Sequence, residues 1–313
     1  FLTDRDLFDI PDVWNLVDWA AQDLERDGEV ISNTALMAQS LDYAARMATE
    51  LGLSEEAEAH TALAARLRKA VNTYGWSEQY QGYVDTVRDE YAYERHVKLT
   101  QERGTKTDTW EEFQAKQRIS EPTNTLVLQS NVVPAERREA VLRFVLASKA
   151  GKFIGSSPEW ARNGKPDEIV PVGSPWFLFF TLETLFNEGM SADALTILRE
   201  QWNRMLEKGA TTFWETFPGF IGNGHWSRSL CHGWSAAPGY FLTTRVLGVT
   251  PAAPGYKKIR IAPQPFHLKW ANGTVPTPHG PVNVSWRLKE DGQLDLEYNA
   301  PEGCEVEVIL PQA

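Results

Sequence analysis

Residues 175–186, Pro-Trp-Phe-Leu-Phe-Phe-Thr-Leu-Glu-Thr-Leu-Phe, are the hardest part of this chain to place in a fold. The run opens with proline, which a helix tolerates in its first turn because no partner awaits that amide, and Gly189 closes it. It is apolar on nearly every side. A helix of that kind must be covered around most of its circumference, as the inner layer of a double-layered helical structure would be. A short connection leads to Ser191, read as the cap of a partner helix that Gly209 ends, so the two form an αα-hairpin.

Similar pairing is read along the rest of the first 250 residues. Apolar spacing predicts a helix over 33–51, with Ser32 as its cap and Gly52 as its end, then a second from Ser54 to Tyr74. Residues 76–85 read as a turn with a short extended piece, and the charged stretch 91–119 shows no clear period. Further helices are expected over 121–131 and, after Pro134, through Lys149; residues 151–172 read as a Gly-, Pro- and Ser-rich loop. A last helix is expected from Arg228 to Leu247, kinked at Pro238. Near Gly255 the period changes to two, in 259–261, 282–286, 294–298 and 306–309, with a hairpin signal at 289–292. The expected organisation is mainly α over 1–250, followed by a small antiparallel β-sandwich over 251–313.

Composition narrows the function classes. A formal net charge of -11 speaks against binding a phosphate backbone. No apolar run approaches the length that crosses a bilayer, so no membrane partner is expected, and the reading is a soluble protein of unassigned compartment. Two cysteines, Cys231 and Cys304, fall in different regions and offer neither a disulfide framework nor a structural zinc site. Because the first residue is Phe1 and not Met, the chain is expected to be a processed or fragmentary piece. Twelve tryptophans are many for this length; most are expected to be core, and indoles above core need often line sites for ring-shaped ligands.

The segment Thr212-Phe213-Trp214-Glu215-Thr216-Phe217 sets a carboxylate between aromatic walls, with His232 and Trp234 downstream in 227–235. Sugars stack their C–H faces on indoles, and partial desolvation makes a carboxylate a stronger base. Plainer readings stand beside this one: Glu215 as a helix-start charge, His232 as a hydrogen-bonded core histidine, Trp176 as core. His225 is a weaker ligand candidate than a surface-loop histidine. Glu183 and Glu200 read as solvated or ion-paired residues. A Cys231–His232 catalytic pair is disfavoured, since neighbours on a helix point different ways.

Several pieces together resemble a known family. They are "WNLVDW" (14–19), "TNTLVLQSNVVPAERREAVL" (123–142), "GSPWFLFFTLETLFNEG" (173–189), "GATTFWETF" (209–217), "SRSLCHGWSAAPGYFLTTRVLGV" (227–249) and "GYKKIRIAPQPFHLKWANGTVPTPHGPVNVSW" (255–286). In this order they are similar to the C-terminal half of the bacterial-type α-L-rhamnosidases of glycoside hydrolase family 78. The resemblance implies an (α/α)6 six-hairpin toroid, incomplete here with its first helices missing, followed by a β-sandwich. It implies inverting hydrolysis of terminal α-L-rhamnosides by two carboxylic acids, without an organic cofactor and with a structural calcium left open. Glu215 matches the family's general-base segment and His232 a histidine lining the sugar site. Asp18 and Trp19 match a substrate-facing stretch, while Trp14, Trp176, Trp214 and Trp234 are candidate aromatic walls.

One departure is plain: the family's acid lies near a Trp-Gly-Asp sequence, which this chain lacks. The four aspartates of "TDRDLFDIPD" (3–12) have no matching surroundings. An N-terminal segment or separate chain is therefore expected to complete the barrel and supply the acid. Two other readings remain beside hydrolysis, a rhamnose-releasing lyase on the same barrel and a non-catalytic rhamnoside-binding remnant.

Overall fold

In a computed structural model, the described residues are 1–9, 15–20, 22, 28–146, 169–170, 172–218 and 229–311. They form two compact units, Phe1–Ser235 and Ala236–Ala313.

The first unit is built from helix pairs. Helices α1 (Ile31–Glu50) and α2 (Ser54–Tyr74) pack on each other across a tight turn at Gly52, whose φ of 74° suits a residue without a Cβ. The expected Ser32 cap is corrected: Val30 occupies the cap position and Ser32 lies buried inside the first turn. Two short strands, β1 (Trp76–Ser77) and β2 (Gly82–Tyr83), pair antiparallel. The charged stretch resolves into α3 (Glu90–Arg103), capped by Asp89, and α4 (Trp110–Ala115), whose Thr109 and Glu112 form a capping box. Strand β3 (Ile119–Ser120) then leads into α5 (Glu121–Gln129), followed by α6 (Ala135–Val145).

Strand β4 (Ile169–Val170) pairs parallel with β3. The remainder of the expected loop over 151–172, apart from Val172, and the end of the helix expected through Lys149 lie outside the described residues. Helix α7 (Pro175–Asn187) carries the apolar run, and α8 (Ser191–Glu207) packs on it. Ser191 is the first helical residue, with Met190 at the cap position that sequence reading gave to the serine. As expected of an inner layer, α7 buries Phe177, Leu178, Leu182, Leu185 and Phe186. Each such side chain contributes about 1.5–3 kcal/mol through removal from water. Helix α5 is covered by α1, α6 and α7, and every residue from Glu121 to Leu128 is buried. Asn124 exchanges hydrogen bonds with the Tyr83 backbone at 2.9 and 3.0 Å. Ser120 and Thr123 donate to Asp85 at 2.5 and 2.6 Å.

The second unit departs from expectation at both ends. In place of one kinked helix, a 3-10 turn (Gly233–Ser235) closes the first unit. Helix α9 (Ala237–Phe241) follows with Pro238 in its first turn, and then a π-turn over Leu242–Val246. Pro238 opens a helix here because a first-turn residue needs no amide donor. The Leu247 amide donates to the Leu242 carbonyl at 2.9 Å, five residues back, which defines the wider turn. Strands β5 (Val249–Pro251), β6 (Lys258–Ile261) and β10 (Glu305–Val308) form one sheet, in the order β10-β6-β5. Strands β7 (Trp270–Thr277), β8 (Gly280–Leu288) and β9 (Leu294–Asn299) form an antiparallel meander. The first sheet is mixed, not antiparallel, because β10 runs parallel to β6. Both sheets contribute to one core, with Val249, Ile259 and Ile261 from one and Val275, Val282, Val284 and Trp286 from the other. The helical turns of 237–246 group with the sheets because Val246 and Leu247 belong to that core.

Candidate active site

The Glu215 segment is held by backbone pairing. The Glu215 amide donates to the Ser229 carbonyl at 2.9 Å, and the His232 amide donates to the Phe213 carbonyl at 2.7 Å. The Thr212 hydroxyl also donates to the Leu230 carbonyl. These bonds hold the two segments side by side. Trp214 is buried, with Thr216 and Phe217, while Glu215 keeps partial access to solvent. The placement of Trp214 as an aromatic wall is thereby corrected: its indole is packed into the core, 3% exposed. Among the described residues none hydrogen-bonds to, or forms an ion pair with, the Glu215 carboxylate, and the helix-start reading of this glutamate has no helix to support it.

Downstream, the aromatic side chains come to Glu215. Trp234 donates its indole N–H to the Glu215 carbonyl at 2.9 Å. The His232 ring lies 4.5 Å from the Trp234 ring, and Trp234 stacks on Trp176 at 5.9 Å with planes 24° apart. Trp176 is braced edge-on by Phe177 and Phe180, and is itself partly exposed. The Glu215 main chain, an imidazole and two stacked indoles thus share one place, on α7 and the paired segments 212–217 and 229–234.

The entry to α7 is fixed from two sides by buried acids. Asp18 accepts from the Gly173 amide at 2.6 Å and from the Ser174 hydroxyl, and Ser174 in turn caps α7 by accepting from the Phe177 amide at 3.3 Å. Glu121, at the start of α5, accepts from the Val172 amide at 3.3 Å and from Thr181 at 3.4 Å. Burial pushes the Asp18 carboxyl up to about 7, against the hydrogen bonds from Ser174 and Gly173 that favour its charged form. Gly173 itself is pressed on the Trp19 backbone, where a Cβ would come 1.8 Å from the Trp19 oxygen. The two carboxylate oxygens of Asp18 are therefore engaged by the loop that delivers Trp176, and Trp19, partly exposed, is fixed beside it.

Sequence reading assigned Glu121 no role beyond starting a helix. The only signal for this clamp was Gly-Ser-Pro before an apolar helix, which marks a cap but not the acids that hold it. Trp14 and His225 lie outside the described residues. Among the described residues, no group of three His, Cys, Asp or Glu is arranged to hold a metal ion, and no helix is long and apolar enough to cross a membrane.

Comparison with known proteins gives a consistent result. Residues 3–246 match the bacterial alpha-L-rhamnosidase 6 hairpin glycosidase domain, and residues 248–313 match the bacterial alpha-L-rhamnosidase C-terminal domain. An α-L-rhamnosidase of Streptomyces avermitilis is 27% identical over 303 residues, which cover 94% of this chain and 24% of that protein. The crystal structure of a GH78 family rhamnosidase of Bacillus sp. GL1 has a TM-score of 0.79 at 32% identity, covering 99% of this chain and 29% of its own. That of Streptomyces avermitilis α-L-rhamnosidase complexed with L-rhamnose has a TM-score of 0.61 at 26% identity, over 88% of this chain and 22% of its own. The chain spans about a quarter of the length of these relatives.

Proposed function

The chain belongs to the bacterial α-L-rhamnosidase six-hairpin glycosidase family, with a small C-terminal sheet domain, and from that premise we propose that it carries the general-base side of an inverting α-L-rhamnosidase site. Glu215 takes the proton of a water that attacks the anomeric carbon of a terminal rhamnosyl unit. A second carboxylic acid, assigned to no residue of this sequence, protonates the leaving oxygen from the other side. Inverting enzymes place their two carboxyl groups about 6.5–9.5 Å apart, which leaves room for that water. Trp234 and Trp176 offer apolar faces to the sugar ring, and His232 supplies a polar contact at the same wall. Trp19 is a further contact on the loop beside α7. Asp18 acts as a positioning residue, since its oxygens hold Gly173 and Ser174.

The observation that carries this reading is a carboxylate without a protein partner among the described residues, joined through its own backbone carbonyl to a stacked indole pair. The test is Glu215→Gln in the protein that carries this sequence, with a chromogenic α-L-rhamnoside as substrate. Loss of a general base lowers kcat by about 10²–10⁴-fold. KM is expected to stay within a few-fold, and the sugar first released should have the inverted anomeric configuration by NMR. A variant that keeps more than a tenth of the turnover would overturn the assignment. With a rhamnosyl-uronate substrate in place of the chromogenic one, an unsaturated uronate product would instead favour a lyase.

A further inference from the structure

The β7-β8-β9 sheet turns one face to the core through Val275, Val282, Val284 and Trp286. Its other face carries a polar set around an indole. Cross-strand register places Trp270 opposite Arg287, which is opposite Asp295, and two residues along places Asn272 opposite Ser285, opposite Glu297. All six are exposed, Trp270 by 56%, and they line an open hollow of about 250 Å³. Strands lie about 4.8 Å apart and alternate residues about 6.8 Å apart, so this grid measures roughly 10 by 7 Å. That is the footprint of one or two sugar rings.

A water-facing sheet ordinarily shows polar residues, and polarity alone would mean nothing. The indole, the concavity and the unused hydrogen-bonding capacity mean more. Among the described residues, no hydrogen bond or ion pair engages any of these six side chains. Arg287 is not bonded to Asp295 although the two face each other directly across the ladder. The set provides an apolar plate at one corner, donors from Arg287 and Asn272, a hydroxyl at the centre, and two carboxylates along the far edge. The summed charge of one cation and two anions is negative, which disfavours phosphates, uronates and nucleic acid. A neutral pyranose fits each part: its C–H face covers the indole while vicinal hydroxyls donate in pairs to a carboxylate and accept from the amide and guanidinium.

We infer that this outer sheet face is a carbohydrate-binding site of the C-terminal unit, formed by residues 270–297 alone and specific for uncharged sugar rings. Only the choice of rhamnose as one of the probes rests on the function proposed above. The test follows the indole N–H resonance of Trp270, assigned with Trp270→Phe, during titration with methyl α-L-rhamnoside, methyl β-D-glucoside, methyl β-D-glucuronide and spermidine. A neutral glycoside is expected to move it saturably. Glu297→Gln and Trp270→Ala should weaken that glycoside's binding by about tenfold or more, the first read at the indole and the second by calorimetry. Glu215→Gln should leave it unchanged. The proposal is overturned if neither neutral glycoside moves the resonance, if calorimetric binding is undiminished in Trp270→Ala, or if spermidine or the glucuronide alone binds. Saturable binding in a protein whose turnover is indifferent to Glu215 would sink the catalytic assignment and leave this site standing.

Discussion

Asp18 shows how one side chain can make the whole molecule sensitive to pH. Burial raises its carboxyl to about 7, whereas an unfolded chain gives an aspartate about 3.9. Between those values the folded protein keeps a proton that the unfolded chain has already released. This contribution to stability is therefore fully present below about pH 4, declines as pH rises to about 7, and stays low above that. Melting temperatures taken from pH 4.5 to 8 should fall through this window. Asp18→Asn should flatten the fall, since an amide keeps the shape and most of the hydrogen bonding without ionising. Superimposable profiles for the two proteins would contradict the assignment. The sequence matched Asp18 to a substrate-facing stretch, and what it did not reveal was the identity of the donors, Gly173 and Ser174, more than 150 residues away.

At the level of elements, the entry to α7 is the most tightly specified join. Gly173→Ala would drive a methyl group into the Trp19 carbonyl, which is backbone and cannot rotate aside. A cost of about 1–3 kcal/mol is expected from such overpacking. Chemical denaturation should show it, and turnover should fall further than stability alone explains because Trp176 follows on the same turn. Helices α7 and α8 are placed well by sequence reading because their ends are written in local chemistry: a glycine at positive φ after each, and a proline in the first turn of α7. Where an end depends on tertiary contact the reading failed. Ser32 offered a hydroxyl at the right place, yet the chain enters α1 from an extended Val30 whose amide pairs with the Phe8 carbonyl. The expected helix over 228–247 gave way likewise, since its apolar spacing is shared by a 3-10 turn, a short α-helix and a π-turn. Of the candidate site, Glu215, His232, Trp234 and Trp176 converge as a group. Trp214 does not, because which indole of an aromatic stretch turns to the core is decided by tertiary packing that the local residues do not display.

On the scale of the molecule, the sheet unit has a core of its own, and Trp286 is its largest member, 2% exposed with its indole N–H donating to the Val246 carbonyl at 2.9 Å. That bond ties the π-turn to the sheet face opposite the proposed sugar hollow. Trp286→Ala should cost about 3–5 kcal/mol. Hydrogen exchange should then quicken through β6, β7 and β8, with the amides of α1 and α2 as internal reference. Unchanged exchange in those strands would show that the indole is not central to this unit. In the helical unit, the bond from the Trp234 indole to the Glu215 carbonyl has a kinetic corollary. Any guest that tilts the ring pulls on the main chain of the proposed base, so how well a sugar lies on the wall and how readily water is activated become one variable. Poorly shaped glycosides should then be told apart chiefly by slower turnover, with only modest differences in how tightly they are held.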